Sequence, residues 1–463
     1  MKLTIYGAAR QVTGSMHLLE LAKYKILIDC GLDYEKDHNI QLNEDFPFNP
    51  AEIDVVILTH AHIDHSGNLP TLVRLGFSGQ ILCTPPTADL TELLLLDSVS
   101  IFMRKSQKKG KHGKSKFNNS SQPLYLQKHV MDTMERFVSI GFNRPFRING
   151  DIELTFIPVG HLLGAAAAIL KINDQGTEKT IAFTGDIGRK NYPVLNDPEN
   201  LPQVDYLVSE STYGGRFHSK GKSVEETLVE VIEKACIKEQ GRMIIPAFSI
   251  GRTQSLVFAL NKIFSSGLLP PVTVFVDSPM ASMATGIYRK YHNLVNQEAQ
   301  DFYRNQGDEF EFDNLTYVET LKDSRQVSNY FEPCIIISSA GMLEGGRIQD
   351  HLFYNIQNYY CTILFIGYCA KGTLGHRLLR GDSIVHIKDR DLAVYATIKQ
   401  TDVLSAHGDH EDLVNTVHQQ DKSKLKSVFL VHGETESMQA LADSLEFDGY
   451  KVVMPEKGIS YDL

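Results

Sequence analysis

Thr59-His60-Ala61-His62-Ile63-Asp64-His65 packs four metal-capable side chains into six residues. The segment follows directly on the apolar run Val55-Val56-Ile57-Leu58. A strand that ends in such a turn can aim two sets of ligands at two adjacent metal ions. His60 and His62 are two apart, so their imidazoles can converge on one ion. Asp64 and His65 come at the next bend and can reach a second. Imidazole with a hard carboxylate, and no thiolate, suits catalytic zinc better than structural zinc. The competing reading is a histidine-rich surface loop, and matching partners elsewhere in the chain weigh against it.

Those partners sit at strand ends beside glycine. His161 lies in Pro158-Val159-Gly160-His161-Leu162-Leu163-Gly164, Asp186 in Phe183-Thr184-Gly185-Asp186-Ile187-Gly188, and His432 in Leu430-Val431-His432-Gly433. Glycine lets the backbone turn sharply and leaves room for an ion and a substrate. A single histidine after an apolar run is ordinarily a core or capped residue. Three such positions beside the 60–65 cluster form a constellation.

The elements that must position these groups follow from pattern and punctuation. Strands are expected at 3–6, 17–21, 25–29, 55–58 and 80–83, then a helix over 87–103. Residues 104–116 are basic and of low complexity, either a solvated loop or a contact to nucleic-acid phosphates. A helix over about 126–137 precedes strands at 152–157, 165–171, 180–183 and 206–210. Ser223-Val224-Glu225-Glu226 is a capping box that opens a helix to about Glu239. Strands at 243–246, 272–276, 334–338 and 362–366 alternate with helices at 252–264 and 281–292. Such alternation implies parallel strands with crossover helices, hence a Rossmann-like domain from about Thr212 to Gln400. No G-x-G-x-x-G stands at a strand–helix junction, so dinucleotide binding is not inferred. Metal-rich motifs return after it, so this domain is an insertion.

The chain has 463 residues, enough for about two to four domains. No apolar run approaches the roughly 20 residues that cross a bilayer, and the N-terminus reads as a strand, not a signal peptide. The cysteines Cys30, Cys83, Cys236, Cys334, Cys361 and Cys369 form no C-x-x-C and point to buried thiols in a reducing, cytoplasmic setting. The net charge of −10 argues weakly against a bulk polyanion binder, but a dinuclear zinc site brings local positive charge.

The order Asp29, His60-x-His62-x-Asp64-His65, His161, Asp186 and a late histidine resembles the metallo-β-lactamase superfamily. The later motifs resemble its β-CASP branch of RNA- and DNA-processing nucleases. They are Ser209-Glu210-Ser211-Thr212-Tyr213-Gly214, Pro246-Ala247-Phe248-Ser249-Ile250-Gly251-Arg252, Ser338-Ser339-Ala340-Gly341-Met342-Leu343-Glu344-Gly345-Gly346, Ser405-Ala406-His407 and Leu430-Val431-His432-Gly433-Glu434. The likeness runs nearly end to end. It is closest to bacterial and archaeal relatives of the cleavage subunit of the eukaryotic mRNA 3′-end machinery. No KH-type extension of the archaeal kind is expected ahead of Met1, and Ser338-Ser339-Ala340-Gly341-Met342 departs from the RNase J pattern, against a 5′-exonuclease.

The resemblance implies an α/β fold: a metallo-β-lactamase αββα sandwich over 1–211 and 401–463, with a Rossmann-like β-CASP domain inserted at 212–400. It implies two Zn²⁺ per chain. His60, His62 and His161 would bind one, Asp64, His65 and His432 the other, and Asp186 would bridge them. Asp29 would orient a ligand histidine. The catalytic set would be Asp64, Glu210 and His407, with the Glu210 carboxylate holding the His407 imidazolium. The active site is expected between the two domains, with a hinge that admits RNA.

Physical chemistry stands beside the resemblance. Two zinc ions about 3.5–4 Å apart provide a bridging hydroxide and a Lewis-acid clamp for a phosphodiester. A histidine held charged by a carboxylate can provide a proton to the leaving alkoxide, or at least hydrogen-bond the scissile phosphate. Ser338, Ser339, Gly341 and Met342 form a glycine-rich turn that can present N–H groups and hydroxyls to phosphate, or is simply a tight turn. Arg252 and Lys371 can contact the backbone of RNA, or are plain surface charges. His17, His351, His376 and His410 read as structural or peripheral, and Arg347 carries no assignment. The expected function is a zinc-dependent endoribonuclease on single-stranded RNA. A thioesterase or lactonase, a DNA-directed nuclease and a non-catalytic scaffold are the alternatives. The oligomeric state stays open, a homodimer included.

Overall fold

The computed structural model describes residues 1–33, 43–112, 123–219 and 221–463, and the side chains of 105–112 are not described. The chain forms two compact units. Unit 1 comprises Met1–Lys190, Asp197–Phe217 and His407–Leu463; unit 2 comprises Asn191–Asn196 and His218–Ala406. The chain therefore enters and leaves unit 2 later than the boundaries expected at 211/212 and 400/401. The cause at the entry is local to unit 1. Gly215 N donates to His410 Nδ1 at 2.9 Å, and His410 N donates to Arg216 O at 2.9 Å. The short excursion Asn191–Asn196 into unit 2 has no sequence signal. It is held there by Asn296 N to Val194 O at 2.7 Å and Ser255 Oγ to Pro193 O at 3.0 Å.

The strands of the first stretch are β1 (Lys2–Gly7), β2 (Met16–Glu20), β3 (Lys25–Ile28), β4 (Val55–Ile57), β5 (Gln80–Cys83), β6 (Phe137–Ser139), β7 (Phe146–Arg147), β8 (Ile152–Pro158), β9 (Ala166–Asp174), β10 (Thr177–Phe183) and β11 (Tyr206–Glu210). Unit 2 contributes β12 (Arg242–Pro246), β13 (Thr273–Asp277), β14 (Leu315–Tyr317), β15 (Cys334–Ser338), β16 (Cys361–Phe365), β17 (Ile384–Ile387), β18 (Arg390–Ala393) and β19 (Thr397–Gln400). The chain returns to unit 1 with β20 (Ser427–Val431), β21 (Val452–Val453) and β22 (Ser460–Asp462).

Unit 1 is built on two seven-stranded sheets, ordered β22-β1-β2-β3-β4-β5-β6 and β21-β20-β11-β10-β9-β8-β7. Side chains alternate faces along a strand, and here the alternation sorts the residues. Leu19, Ile26, Ile28, Val55, Ile57 and Leu82 meet Phe156, Ala168, Leu170, Phe183 and Val208 in the core between the sheets. Leu18, Leu27, Val56, Leu58 and Ile81 face the other way, onto Leu69 and Leu72 of the helix Leu69–Arg74. Sheets inside and helices outside make the expected αββα sandwich.

The sheet of unit 2 runs β14-β13-β15-β12-β16-β19, and each neighbouring pair is parallel. β15 and β16 are buried along their whole length. This explains the unbroken runs Cys334-Ile335-Ile336-Ile337 and Cys361-Thr362-Ile363-Leu364, since a parallel sheet is covered on both faces. From β12 the chain crosses over β15 to reach β13, while from β15 it crosses over β12 to reach β16. Right-handed crossovers in opposite directions put the helices Arg252–Ser265 and Ile348–Asn355 on opposite faces. The loops after β12 and β15 therefore part at the carboxyl ends of the strands. A crevice at such a point is the ordinary ligand position of an open α/β sheet.

Several expected elements differ in extent. The helix expected over 87–103 is Pro85–His112, so the basic segment begins as helix; its residues from 113 on lie outside the described residues. The helix expected to Phe137 ends at Met134, and β6 follows at once. The helix opened by Ser223 is α-helical over Val224–Ile232, then π-helical over Glu233–Lys238. All six cysteines are buried and unpaired. Among the described residues no helix is long and apolar enough to cross a membrane.

One buried charge cluster pins the loop after β15. Asp277, with no exposed side-chain surface, accepts from Arg347 Nη1 at 2.6 Å and from Ser324 Oγ at 2.6 Å, and its Oδ2 lies 2.6 Å from His351 Nε2. Ser338 Oγ donates to Asp277 O at 3.0 Å. Burial pushes the Asp277 carboxyl up, but bonds from His351, Ser324 and Arg347 outweigh it and hold it below the ordinary range. The stability it contributes is therefore complete at neutral pH, and is lost as pH falls from about 3.9 through the folded-state value. Asp277→Ala should strand the Arg347 guanidinium, leave His351 and Ser324 without their acceptor, and cost about 3–5 kcal/mol in urea unfolding at pH 7. A cost under about 1 kcal/mol would mean that water reaches the cluster.

Candidate metal centre

β4 ends at Ile57, and the chain turns through His60 and His62 into the one-turn helix Ile63–Ser66, which carries Asp64 and His65. Ser66 Oγ ties the turn down by donating to Ala61 O at 2.8 Å. Gly31 is required beside it: a Cβ there would stand 1.6 Å from Asp64 O. β8 delivers His161, β10 delivers Asp186 and β20 delivers His432. Gly188 lets the Asp186 turn cross the His161 loop, since a Cβ would fall 2.1 Å from Gly160 C.

Seven side chains converge in two groups. His60, His62, His161 and Asp186 form one; Asp64, His65 and His432 form the other. In the first, His60 Nε2 and His161 Nε2 each lie 3.1 Å from His62 Nδ1, and 3.6 and 3.5 Å from Asp186 Oδ2. In the second, His432 Nε2 lies 3.5 Å from Asp64 Oδ2. Asp186 Oδ1 faces this group, 3.3 Å from His65 Nε2 and 3.6 Å from His432 Nδ1. The two oxygens of one carboxylate thus face different groups. Tetrahedral ligands about 2.0–2.1 Å from a common ion stand roughly 3.3 Å apart, close to the spacings seen. His65 Nε2, His432 Nε2 and Asp186 Oδ1 are buried with no hydrogen-bond partner, a costly state that a cation relieves. The donor set fits a transition-metal cation.

Protonation agrees with that fit. Burial, then His65, holds His60 well below the ordinary imidazole range; burial, then His407, does the same to His161. Burial brings His62 down to about 4 against the pull of Asp64 and Asp186. These three are neutral, the ligand form. Burial also pulls on His65 and His432, but Asp186 with Asp29, and Asp186 with Asp64, outweigh it and raise both. Burial pushes Asp186 up, yet His432, His65 and His60 hold it well below the carboxylate range. A cation entering the second group must displace protons, so affinity falls as pH falls.

Asp29 fixes the second group from behind. Its Oδ2 lies 2.7 Å from His65 Nδ1 and accepts from Thr59 Oγ1 at 2.9 Å, while Oδ1 accepts from Thr59 N at 2.8 Å. With Nδ1 committed, Nε2 is left for a metal. Asp29 and His432 both hold a left-handed backbone, φ 57° and 51°. Non-glycine residues seldom do so, and such strain gathers at functional sites. Asp29→Asn should weaken zinc binding about 10–100-fold, read by competition with a chelator; unchanged affinity would leave the orientation of His65 to its neighbours alone.

Glu210 and His407 meet at the edge of the same site. Glu210 Oε1 lies 3.2 Å from His407 Nδ1 and accepts from Ile187 N, and Oε2 accepts from Thr212 N at 3.3 Å. His407 Nε2 points inward, 4.0 Å from Asp186 Oδ2, and its ring lies 4.5 Å from that of His161. Sequence reasoning passed over three groups here. Thr59 Oγ1 lies 3.2 Å from His60 Nδ1, Thr212 Oγ1 lies 3.0 Å from His432 Nδ1, and Tyr213 meets the His407 ring edge-on at 5.8 Å. All three stand inside the motifs quoted from the sequence, where nothing local gave them a role. His17 is buried, with Nε2 3.2 Å from Ser15 Oγ, and burial brings it to about 3, a neutral structural group.

In unit 2, the candidate phosphate contacts divide. Ser338 is buried and its hydroxyl is spent on Asp277 O. Ser339, Gly341 and Met342 are partly exposed in the loop that follows. Arg252 opens its helix, with its guanidinium 4.9 Å above the Phe248 ring. Lys371 is exposed.

Two sheets closing on an imidazole–carboxylate cluster, with a parallel-sheet unit inserted, define a metallo-hydrolase of the metallo-β-lactamase superfamily, and this chain belongs to it. The superfamily model matches residues 9–229, the Beta-Casp domain model residues 253–378, and the Zn-dependent metallo-hydrolase RNA specificity domain model residues 391–455. The chain is 29% identical over 459 residues to Ribonuclease TTHA0252 of Thermus thermophilus, covering 99% of both. It is 30% identical over 456 residues to Transcription termination factor FttA of Methanothermobacter thermautotrophicus, covering 96% of this chain and 69% of that protein. A crystal structure of a protein of unknown function from Enterococcus faecalis shares the fold, with TM-score 0.53, 14% identity, and 100% and 99% of the two chains covered.

Proposed function

We propose that the chain is a zinc-dependent ribonuclease that hydrolyses phosphodiester bonds of single-stranded RNA endonucleolytically, in RNA processing or decay. The observation that carries the reading is His407, backed by Glu210 and with Nε2 turned toward Asp186. A metal-ligand cluster alone suits many hydrolases. A carboxylate-backed imidazole facing it suits an alkoxide leaving group, which must take up a proton.

His60, His62 and His161 would hold one zinc, and Asp64, His65 and His432 would hold the other, with Asp186 between the two groups. When bound, zinc supplies an acidified water and positive charge against the phosphoryl oxygens. Water adds to phosphorus and releases one proton to solvent, the P–O bond breaks, the leaving oxygen takes the proton of His407 Nε2, and His407 is protonated again from solvent. Glu210 keeps the ring oriented. Ser339, Gly341, Met342, Arg252 and Lys371 bind backbone phosphates, with Ser338 holding their loop. RNA is favoured over DNA by the RNA specificity model and the ribonuclease name of the Thermus relative.

The test is purified protein of measured zinc content, incubated with 5′- and 3′-labelled single-stranded RNA and with matched DNA. Internal cuts in RNA are expected. Inert RNA beside rapid hydrolysis of a thioester or lactone would overturn the reading.

A further inference from the structure

The crevice of unit 2 holds one side chain that the proposed chemistry leaves unused. Phe248 follows β12, and its side chain is unlike its neighbours'. Ala247, Ser249 and Ile250 are buried, while Phe248 is 38% exposed. Its backbone is fixed: Phe248 O accepts from Thr253 Oγ1 at 2.7 Å and from Thr253 N at 3.3 Å. Ser249 Oγ lies 3.0 Å from Ser278 Oγ on the adjoining turn. A phenyl ring held open to water by a rigid main chain forgoes the stabilisation that burial would bring.

What surrounds the ring is selective. Arg252 lies over it, 4.9 Å from guanidinium carbon to centroid. The guanidinium is wedged against Gly367, where a Cβ would stand 2.2 Å from Nη1. Across the crevice, Gly341 approaches the ring edge, its absent Cβ 3.5 Å from Cδ2 and Cε2. Among the described residues no carboxylate pairs with Arg252. An unpaired guanidinium, an open aromatic ring and a loop of small residues thus share one crevice. Phosphate complements the first and third; a planar, uncharged π-system complements the second.

We propose that Phe248 is a stacking platform for one nucleobase of the bound strand, with Arg252 bracing the ring and meeting the adjacent phosphate. The proposal rests on the ribonuclease reading for its ligand and extends it to the base. Stacking accepts any base, so Phe248 sets the position of the strand and not its sequence.

Two experiments test it. The chain has no tryptophan, so Phe248→Trp introduces a single indole. Oligouridylate, mixed rapidly and read before cleavage, should quench its emission, and an abasic ribose-phosphate strand of equal length should not. Equal responses to the two strands, or none, overturn the proposal. In the second, removal of the contacting base should raise KM of the wild type about 5- to 150-fold, the usual range for one stacked base. In Phe248→Leu that ratio should collapse to about one, and Phe248→Tyr should restore it. A merely structural role would raise both KM values and preserve the ratio, which sinks the idea. If the wild type cleaves no RNA, the ribonuclease reading fails, and the fluorescence arm alone decides the stacking.

Discussion

Asp186→Ala should remove metal and hydrolysis together. Asp186 is the carboxylate both ligand groups share: Oδ2 stands 3.6 and 3.5 Å from His60 and His161, and Oδ1 stands 3.3 and 3.6 Å from His65 and His432. It is also the negative charge that offsets a cluster of imidazoles. Without it, each group loses an anionic ligand, and the first group keeps only the neutral imidazoles of His60, His62 and His161. Zinc content should drop below two per chain, and activity on RNA should fall by at least about 10⁴-fold, since water acidification and charge neutralisation vanish at once. Elemental analysis and single-turnover cleavage read the two effects on one sample. A variant that kept both metals would place the bridge elsewhere. Glu210 lies within 4.8 Å of His432 among candidate ligand atoms and would then have to supply it.

The ligands were legible because each sits where a strand stops. A run of apolar residues, a glycine and an imidazole or carboxylate form a local pattern, and the αββα order follows from short apolar runs such as Lys25–Ile28 and Val55–Ile57. Other features had no local pattern. The Asp277 centre draws on Ser324, Arg347 and His351, far apart in sequence, and joins only when the parallel sheet forms. β17, β18 and β19 are four residues each, and only β17 alternates exposed and buried positions, too short a pattern to register. The helix Pro85–His112 outruns its apolar stripe into lysines, which are good helix formers and so carry no stop signal. Phe248 stood inside a quoted motif. Its exposure, the property that matters, is read only in the fold, where Gly341 from another loop comes up to the ring edge.

His407→Ala should separate chemistry from metal binding. His407 Nδ1 is 3.2 Å from Glu210 Oε1, and Nε2 stops 4.0 Å from Asp186 Oδ2, too far to be a partner of that oxygen and near enough to serve an atom held between them. Neither ligand group needs His407, so zinc content should match the wild type. Loss of a general acid removes about 10²–10⁴-fold in kcat. The sharpest reading comes from the leaving group. A p-nitrophenyl phosphodiester expels a phenolate that needs no proton, so the variant should recover most of its loss on that substrate. If the loss were equal on both substrates, His407 would be holding phosphate instead of donating a proton. If zinc left with the imidazole, His407 would be a ligand, and the two groups would have to be redrawn around it.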